Sequence, residues 1–164
     1  MRISKTLLGV AALALVGCSA ALAGEDVIGK ISTNWRWLGS NDGIEVSAFD
    51  DERVPGVACH LSRAVTGGIN PFAEDKSDAS LACRQIGPIT VDAKSLKSYE
   101  SENVFQRSTN AFFKTMQVRR FVDVKRNVLI YVVYSNHLVN GSPKNAISSV
   151  PIMPWNGSAS AAAK

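Results

Sequence analysis

Two apolar stretches split by one polar triplet constrain this chain more than anything else in it. Met116, Val118, Val122 and Val124 alternate with Gln117, Arg119, Phe121 and Asp123. Lys125-Arg126-Asn127 follows, and then Val128-Leu129-Ile130-Tyr131-Val132-Val133-Tyr134. Period two is the signature of a strand. A three-residue hairpin loop needs a left-handed residue at its last position, and Asn tolerates that conformation better than any residue but glycine. The second stretch is apolar on both faces, so it is expected at the centre of a sheet and covered on both sides. Arg119-Arg120 and Lys125-Arg126 flank the turn and read as its solvated end.

Other segments repeat the pattern. Within residues 30–38, Ile31, Thr33, Trp35 and Trp37 share one face, with Ser32, Asn34 and Arg36 on the other. Ser40-Asn41-Asp42-Gly43 is turn chemistry. Ile44, Val46 and Ala48 then alternate with Glu45, Ser47 and Phe49, so a first hairpin is expected, ending in solvent at Asp50-Asp51-Glu52-Arg53. Val57, Cys59 and Leu61 form the core side of a third strand. Residues 66–80 lack periodicity and read as a long loop. Residues 81–86 form a strand stopped by Gly87-Pro88, residues 92–102 a short helix or an excursion, and residues 104–109 another strand.

After Gly141, Ser142-Pro143 reads as an N-cap and a first helical residue, which places a helix over 144–149. Pro151 ends it. Ile152-Met153-Pro154-Trp155 is expected to dock on the sheet, with Ile147, Val150, Ile152 and Trp155 buried. The expected fold is mainly β, an antiparallel sandwich or flattened barrel with one short C-terminal helix.

Arg2 and Lys5, the apolar run Thr6–Val16 and the exit Ala21-Leu22-Ala23 follow the order of an export signal. The run is far shorter than the roughly 20 residues that span a bilayer. The layout is therefore a signal peptide over 1–23, one globular domain over 24–155 and a disordered tail over 156–164. Leu15-Val16-Gly17-Cys18 also fits a bacterial lipobox, with Cys18 as the acylated residue. Anchoring there would leave a handful of residues before the first strand and press the domain against headgroups. Soluble release into the periplasm after Ala23 is the expectation, and lipid anchoring through Cys18 the alternative.

Of 18 basic residues, Arg2 and Lys5 leave with the signal, and the remaining 16 face 14 acidic ones. A net charge of +2 without a clustered face argues against nucleic acid as a partner. Cys59 and Cys83 remain as an even pair in an oxidising compartment, and a disulfide is expected. A reactive thiol pair fits less well, because the spacing is not Cys-x-x-Cys.

Candidate chemistry is sparse. His60 and Ser62 lie on one strand face, and Asp50 or Asp51 would complete a hydrolase-type triad. No Gly-x-Ser-x-Gly elbow accompanies them, and neighbours two apart on a strand point the same way rather than at each other. His137 follows a strand and reads as exposed. Two histidines make no zinc signature. Asp50-Asp51-Glu52 and Glu74-Asp75-x-x-Asp78 lack the spacing of a calcium loop. Thr66-Gly67-Gly68 lacks the Lys-Ser/Thr of a phosphate loop. Lys144 and Asn145 would sit in the first turn of the C-terminal helix, where free N–H groups attract anions. They mark either an anion or ligand site or a salt bridge to an acidic turn.

Three stretches resemble the CreA family of small proteobacterial periplasmic proteins. They are Ala48-Phe49-Asp50-Asp51 with Cys59 and Ser62-Arg63-Ala64-x-Thr66-Gly67-Gly68; Asp78 with Cys83 and Gly87-Pro88-Ile89; and Gly141–Ser148 with Val150–Trp155. The resemblance implies an exported globular protein with the Cys59–Cys83 pair, and carries over no reaction, cofactor or catalytic residue. The function expected is a non-enzymatic one, binding an envelope protein or a small ligand, or supporting the envelope. A small hydrolase using His60 and a neighbouring carboxylate is the alternative.

Overall fold

Among the described residues the chain forms eight strands, and period-two burial is clearest in Asp42–Asp50, Thr115–Asp123 and Val128–Ser135. The computed structural model describes residues 24–67, 78–98, 100–108, 115–135 and 144–157. β1 (Asp26–Asn34), β2 (Asp42–Asp50), β3 (Val57–Val65) and β4 (Ala79–Gln85) form one antiparallel sheet in chain order. β5 (Glu102–Ser108), β6 (Thr115–Asp123), β7 (Val128–Ser135) and β8 (Asn145–Pro151) form a second. Helix α1 (Ala93–Lys97) lies between them in sequence, capped by Asp92, which accepts the Ser95 N–H at 2.9 Å. It packs on β6 with Ala93 and Leu96 buried.

The hairpin of β6 and β7 forms as expected, from Met116 opposite Ser135 to Asp123 opposite Val128, but its loop is residues 124–127, four residues rather than three. Asn127 takes the left-handed conformation, with φ of 54°. β7 lies inside its sheet, between β6 and β8. It is not covered on both sides: Leu129, Tyr131, Val133 and Ser135 are buried, while Val128, Ile130, Val132 and Tyr134 are half-buried.

The C-terminal helix does not form. Residues 145–151 are β8, paired with β7 from Tyr134 opposite Asn145 to Val128 opposite Pro151. A helix of one or two turns nucleates at a cost its few hydrogen bonds do not recover. As a strand, the same residues cover the open edge of β7 and bury Val150. Ile147 then points outward and is exposed, contrary to expectation, because it stands on the opposite face of β8 from the buried Val150.

No ladder joins the two sheets among the described residues, so the strands do not close into a barrel. The sheets meet where β4 runs beside β8, and across a shared core. At its centre Phe49 of β2 stacks on Phe105 of β5, with centroids 4.5 Å apart. The inward face of β2 is unexpected. It carries Glu45, Ser47 and Phe49, and Asp51 continues it, whereas Ile44, Val46 and Ala48 face outward.

The turn from β2 to β3 is closed by the Asp51 N–H donating to the Val57 carbonyl at 3.1 Å. Gly56 in that turn has φ of 97°, and its carbonyl accepts the Ile86 N–H at 2.8 Å. A Cβ there would lie 2.8 Å from the Pro88 carbonyl oxygen, so only glycine lets the two turns approach.

Candidate functional site

Two polar clusters flank the phenylalanine stack, and both serve the interior. On one side, Arg120 of β6 donates through Nη1 to both Asp51 oxygens, at 2.6 and 2.5 Å, and through Nη2 to Glu102 at 3.2 Å. The Tyr131 hydroxyl donates to the same Asp51 carboxylate at 2.7 Å. Burial, followed by the neighbouring Asp51 charge, holds the phenol well above the ordinary tyrosine range, so it stays protonated and donates. On the other side, Arg63 pairs with Glu45, and Arg107 of β5 pairs with Glu25.

The sequence reading placed Arg120 and Asp51 in solvent. Both are corrected: the exposures are 0% and 1%. Asp51 and Arg120 are therefore an ionic bolt between the sheets, and the Asp51 carboxylate is already committed to an arginine and a tyrosine.

The accessible site lies at the opposite seam. Cys59 and Cys83 stand directly opposite each other in register, their Cα atoms 4.0 Å apart, and form a disulfide. The Cys83 N–H turns away from β3 and donates to Ser148 Oγ of β8 at 2.8 Å. One hydroxyl thus takes the place of a neighbouring strand. Two residues on, the Gln85 amide does the same for the C-terminal segment. It donates to the Met153 carbonyl at 3.0 Å and accepts the Met153 N–H at 3.0 Å. Opposite, the Asn127 carbonyl accepts the Ile152 N–H at 3.0 Å, and the Asn127 amide donates back to the Ile152 carbonyl at 3.0 Å.

Residues 152–155 are thus extended and docked, as expected, with Ile152 buried; Trp155 is only half-buried because its segment lies along an edge. Between this segment and β4 runs a groove of about 370 Å³, walled by Arg84 and Gln85 on one side and Val150, Pro151, Met153 and Trp155 on the other. The volume lies at the small end of ligand sites. Arg84 is exposed and has no ion-pair partner among the described residues. The groove therefore offers an apolar wall and one available guanidinium.

The sequence candidates fall elsewhere. His60 and Ser62 lie on the outer face of β3, with His60 opposite Ala48 and Ala82 in register. Asp50 shares that face but lines a different hollow, with Gly24, Asp26 and Glu52 and without His60 or Ser62. Lys144 forms a 2.7 Å ion pair with Asp78, and Asn145 opens β8 rather than a helix. Cys18, Glu74, Asp75, His137 and the signal segment lie outside the described residues. Among the described residues no group of three or more His, Cys, Asp or Glu is placed to hold a metal ion. No helix among them is long and apolar enough to cross a membrane.

Comparison with known proteins covers most of the chain. The family model described as CreA protein matches residues 28–155. Protein CreA of Escherichia coli strain K12 is 48% identical over 138 residues, covering 82% of this chain and 88% of that protein. The proteins of the same name from strains CFT073 and O157:H7 match to the same extent. No solved structure matches. With the family model spanning both sheets, the disulfide and the groove, this chain belongs to the CreA family.

Proposed function

We propose that this is an exported envelope protein, released into the periplasm behind Ala23, that binds an apolar ligand bearing an anionic group and performs no chemistry on it. The two sheets act as a sandwich whose seam presents the binding groove. The observation that carries the reading is the groove itself: Met153 and Trp155 supply apolar contact, and Arg84 supplies an uncommitted positive charge at its wall. The disulfide in that wall fits an oxidising compartment. The His60 neighbourhood supports binding over hydrolysis, since alanines flank the imidazole in register on both sides.

An amphipathic anion such as anilinonaphthalene sulfonate tests this directly. It should bind saturably and become fluorescent. Arg84→Glu should weaken binding about tenfold or more, since one lost charge contact of roughly 1.4 kcal/mol is a factor of ten. The variant should keep the wild-type urea midpoint, because Arg84 is exposed. Equal affinity in the wild type and Arg84→Glu would refute the assignment.

A further inference from the structure

β1 is an edge strand with little of it covered. On its outward face Ile31 is exposed, and Ile44 of β2, opposite it, is exposed beside it, while Val27, opposite Ser47, is exposed on the other face. Two tryptophans follow directly, and among the described residues they are the largest apolar groups exposed to solvent. Trp35 is 68% exposed and Trp37 82%, their rings edge to face at 5.8 Å, with Leu38 exposed next to them.

This arrangement is not a loose loop end. Arg36, between the two indoles, turns back onto Asp42, with Nε and Nη2 each 2.8 Å from a carboxylate oxygen. The Arg36 N–H donates to Asn41 Oδ1 at 2.9 Å, and the Gly67 N–H donates to Asp42 at 2.8 Å. The Arg36 guanidinium, followed by the Gly67 N–H, holds the Asp42 carboxyl below the usual carboxylate range. The polar residue of the Trp-Arg-Trp triplet is thereby anchored inward while both indoles are held outward. An exposed apolar cluster of this kind marks an interaction site.

The geometry points to a phospholipid surface as the occupant: the strip from Ile31 to Leu38 lies against the membrane leaflet, with Trp35 and Trp37 inserted among the headgroups. Two observations favour lipid over a protein partner. Indoles concentrate at the bilayer interface because an apolar ring and a polar N–H suit that boundary. β1, the strand that leads into the strip, is also the part of the domain nearest its own leader. β1 starts three residues after Ala23 and eight after Cys18. Eight residues reach at most about 30 Å, roughly the length of β1 itself. Under either exit of the leader, β1 is the first surface to meet the leaflet from which the chain departs. A short tether would therefore seat this strip on lipid rather than force a polar face against it.

The test uses the full chain carrying Cys18→Ser, so that no acyl chain contributes, with Trp155→Phe, which leaves Trp35 and Trp37 as the only tryptophans of the three. The probe is vesicles of phosphatidylethanolamine with a minority of phosphatidylglycerol. Expected are a blue shift of the emission, quenching by brominated acyl chains, and co-sedimentation with the vesicles. Adding Trp35→Ser and Trp37→Ser should weaken co-sedimentation by about tenfold or more while leaving the urea midpoint in place. Emission that does not move at saturating lipid would overturn the inference. So would self-association that the double serine variant abolishes while lipid has no effect, which would assign the strip to a second copy of the chain.

Discussion

Arg120 and Asp51 lie 69 residues apart in the chain and meet in a two-oxygen ion pair at 2.6 and 2.5 Å, with neither side chain open to solvent. The pair joins the β2–β3 turn of one sheet to β6, an inner strand of the other, and Tyr131 of the neighbouring β7 completes it. Removing one partner strands a buried charge. Asp51→Ala should cost about 3–5 kcal/mol, the usual loss for a broken buried pair. Tyr131→Phe, which removes one hydrogen bond to a charged acceptor, should cost about 1–3 kcal/mol. Urea unfolding checks both, and a loss below about 1 kcal/mol for Asp51→Ala would mean the bolt is slack.

Tyr131 also predicts an alkaline limit. Burial and then the Asp51 charge raise its folded-state pKa above the unfolded value of about 10. A raised pKa means the folded state holds the proton more tightly. This contribution to stability is whole below about pH 10 and is lost as pH rises beyond it, by up to about 1.4 kcal/mol per pH unit. Urea midpoints should therefore fall more steeply above about pH 10 in the wild type than in Tyr131→Phe. Parallel slopes would contradict the assignment.

The alternation on β6 already contained Arg120. Met116, Val118, Arg120 and Val122 are every second residue, so a strict reading of the period places the arginine in the core. Composition hid it, because a doublet of arginines near a turn resembles a solvated end. Asp51 was hidden for the same reason, inside an acidic run. The hairpin with its left-handed Asn127, the core side of Val57, Cys59 and Leu61, and the Cys59–Cys83 bridge were all legible, since each rests on local periodicity or on cysteine count.

The C-terminal strand and the groove were not legible. Ser142-Pro143 is a genuine helix-start signal, but the open edge of β7 is a non-local feature that outweighs it. The groove depends on Gln85 meeting Met153 across 68 residues, and nothing near either residue announces it.

The disulfide should contribute about 3 kcal/mol on the chain-entropy estimate for its 24-residue separation. Cys59→Ala with Cys83→Ala should accordingly lower stability by about 2–5 kcal/mol. Because Cys83 also lines the groove, the double variant should bind anilinonaphthalene sulfonate differently from the wild type. Full retention of stability would show that the register of β3 and β4 alone holds the edge.

Asn127 has two separable roles. Its positive φ favours glycine, while its amide donates to the Ile152 carbonyl. Asn127→Ala loses both and should cost about 1–3 kcal/mol, combining backbone strain with one hydrogen bond. Asn127→Gly relieves the strain and should cost about 1 kcal/mol less than the alanine variant. Identical losses would mean that the amide, and not the backbone, accounts for the effect.

The most direct test of the groove as the binding surface is an amide and indole chemical-shift titration with dodecanoate, a carboxylate on an apolar chain, held below its micelle concentration. The three indole N–H signals report separately on the two surfaces. The expected result is saturable movement of the Trp155 indole and of the Arg84, Gln85 and Met153 amides, reduced in Arg84→Glu. Movement confined to Trp35 and Trp37, or a Trp155 response unchanged by Arg84→Glu, would contradict the groove as the ligand site.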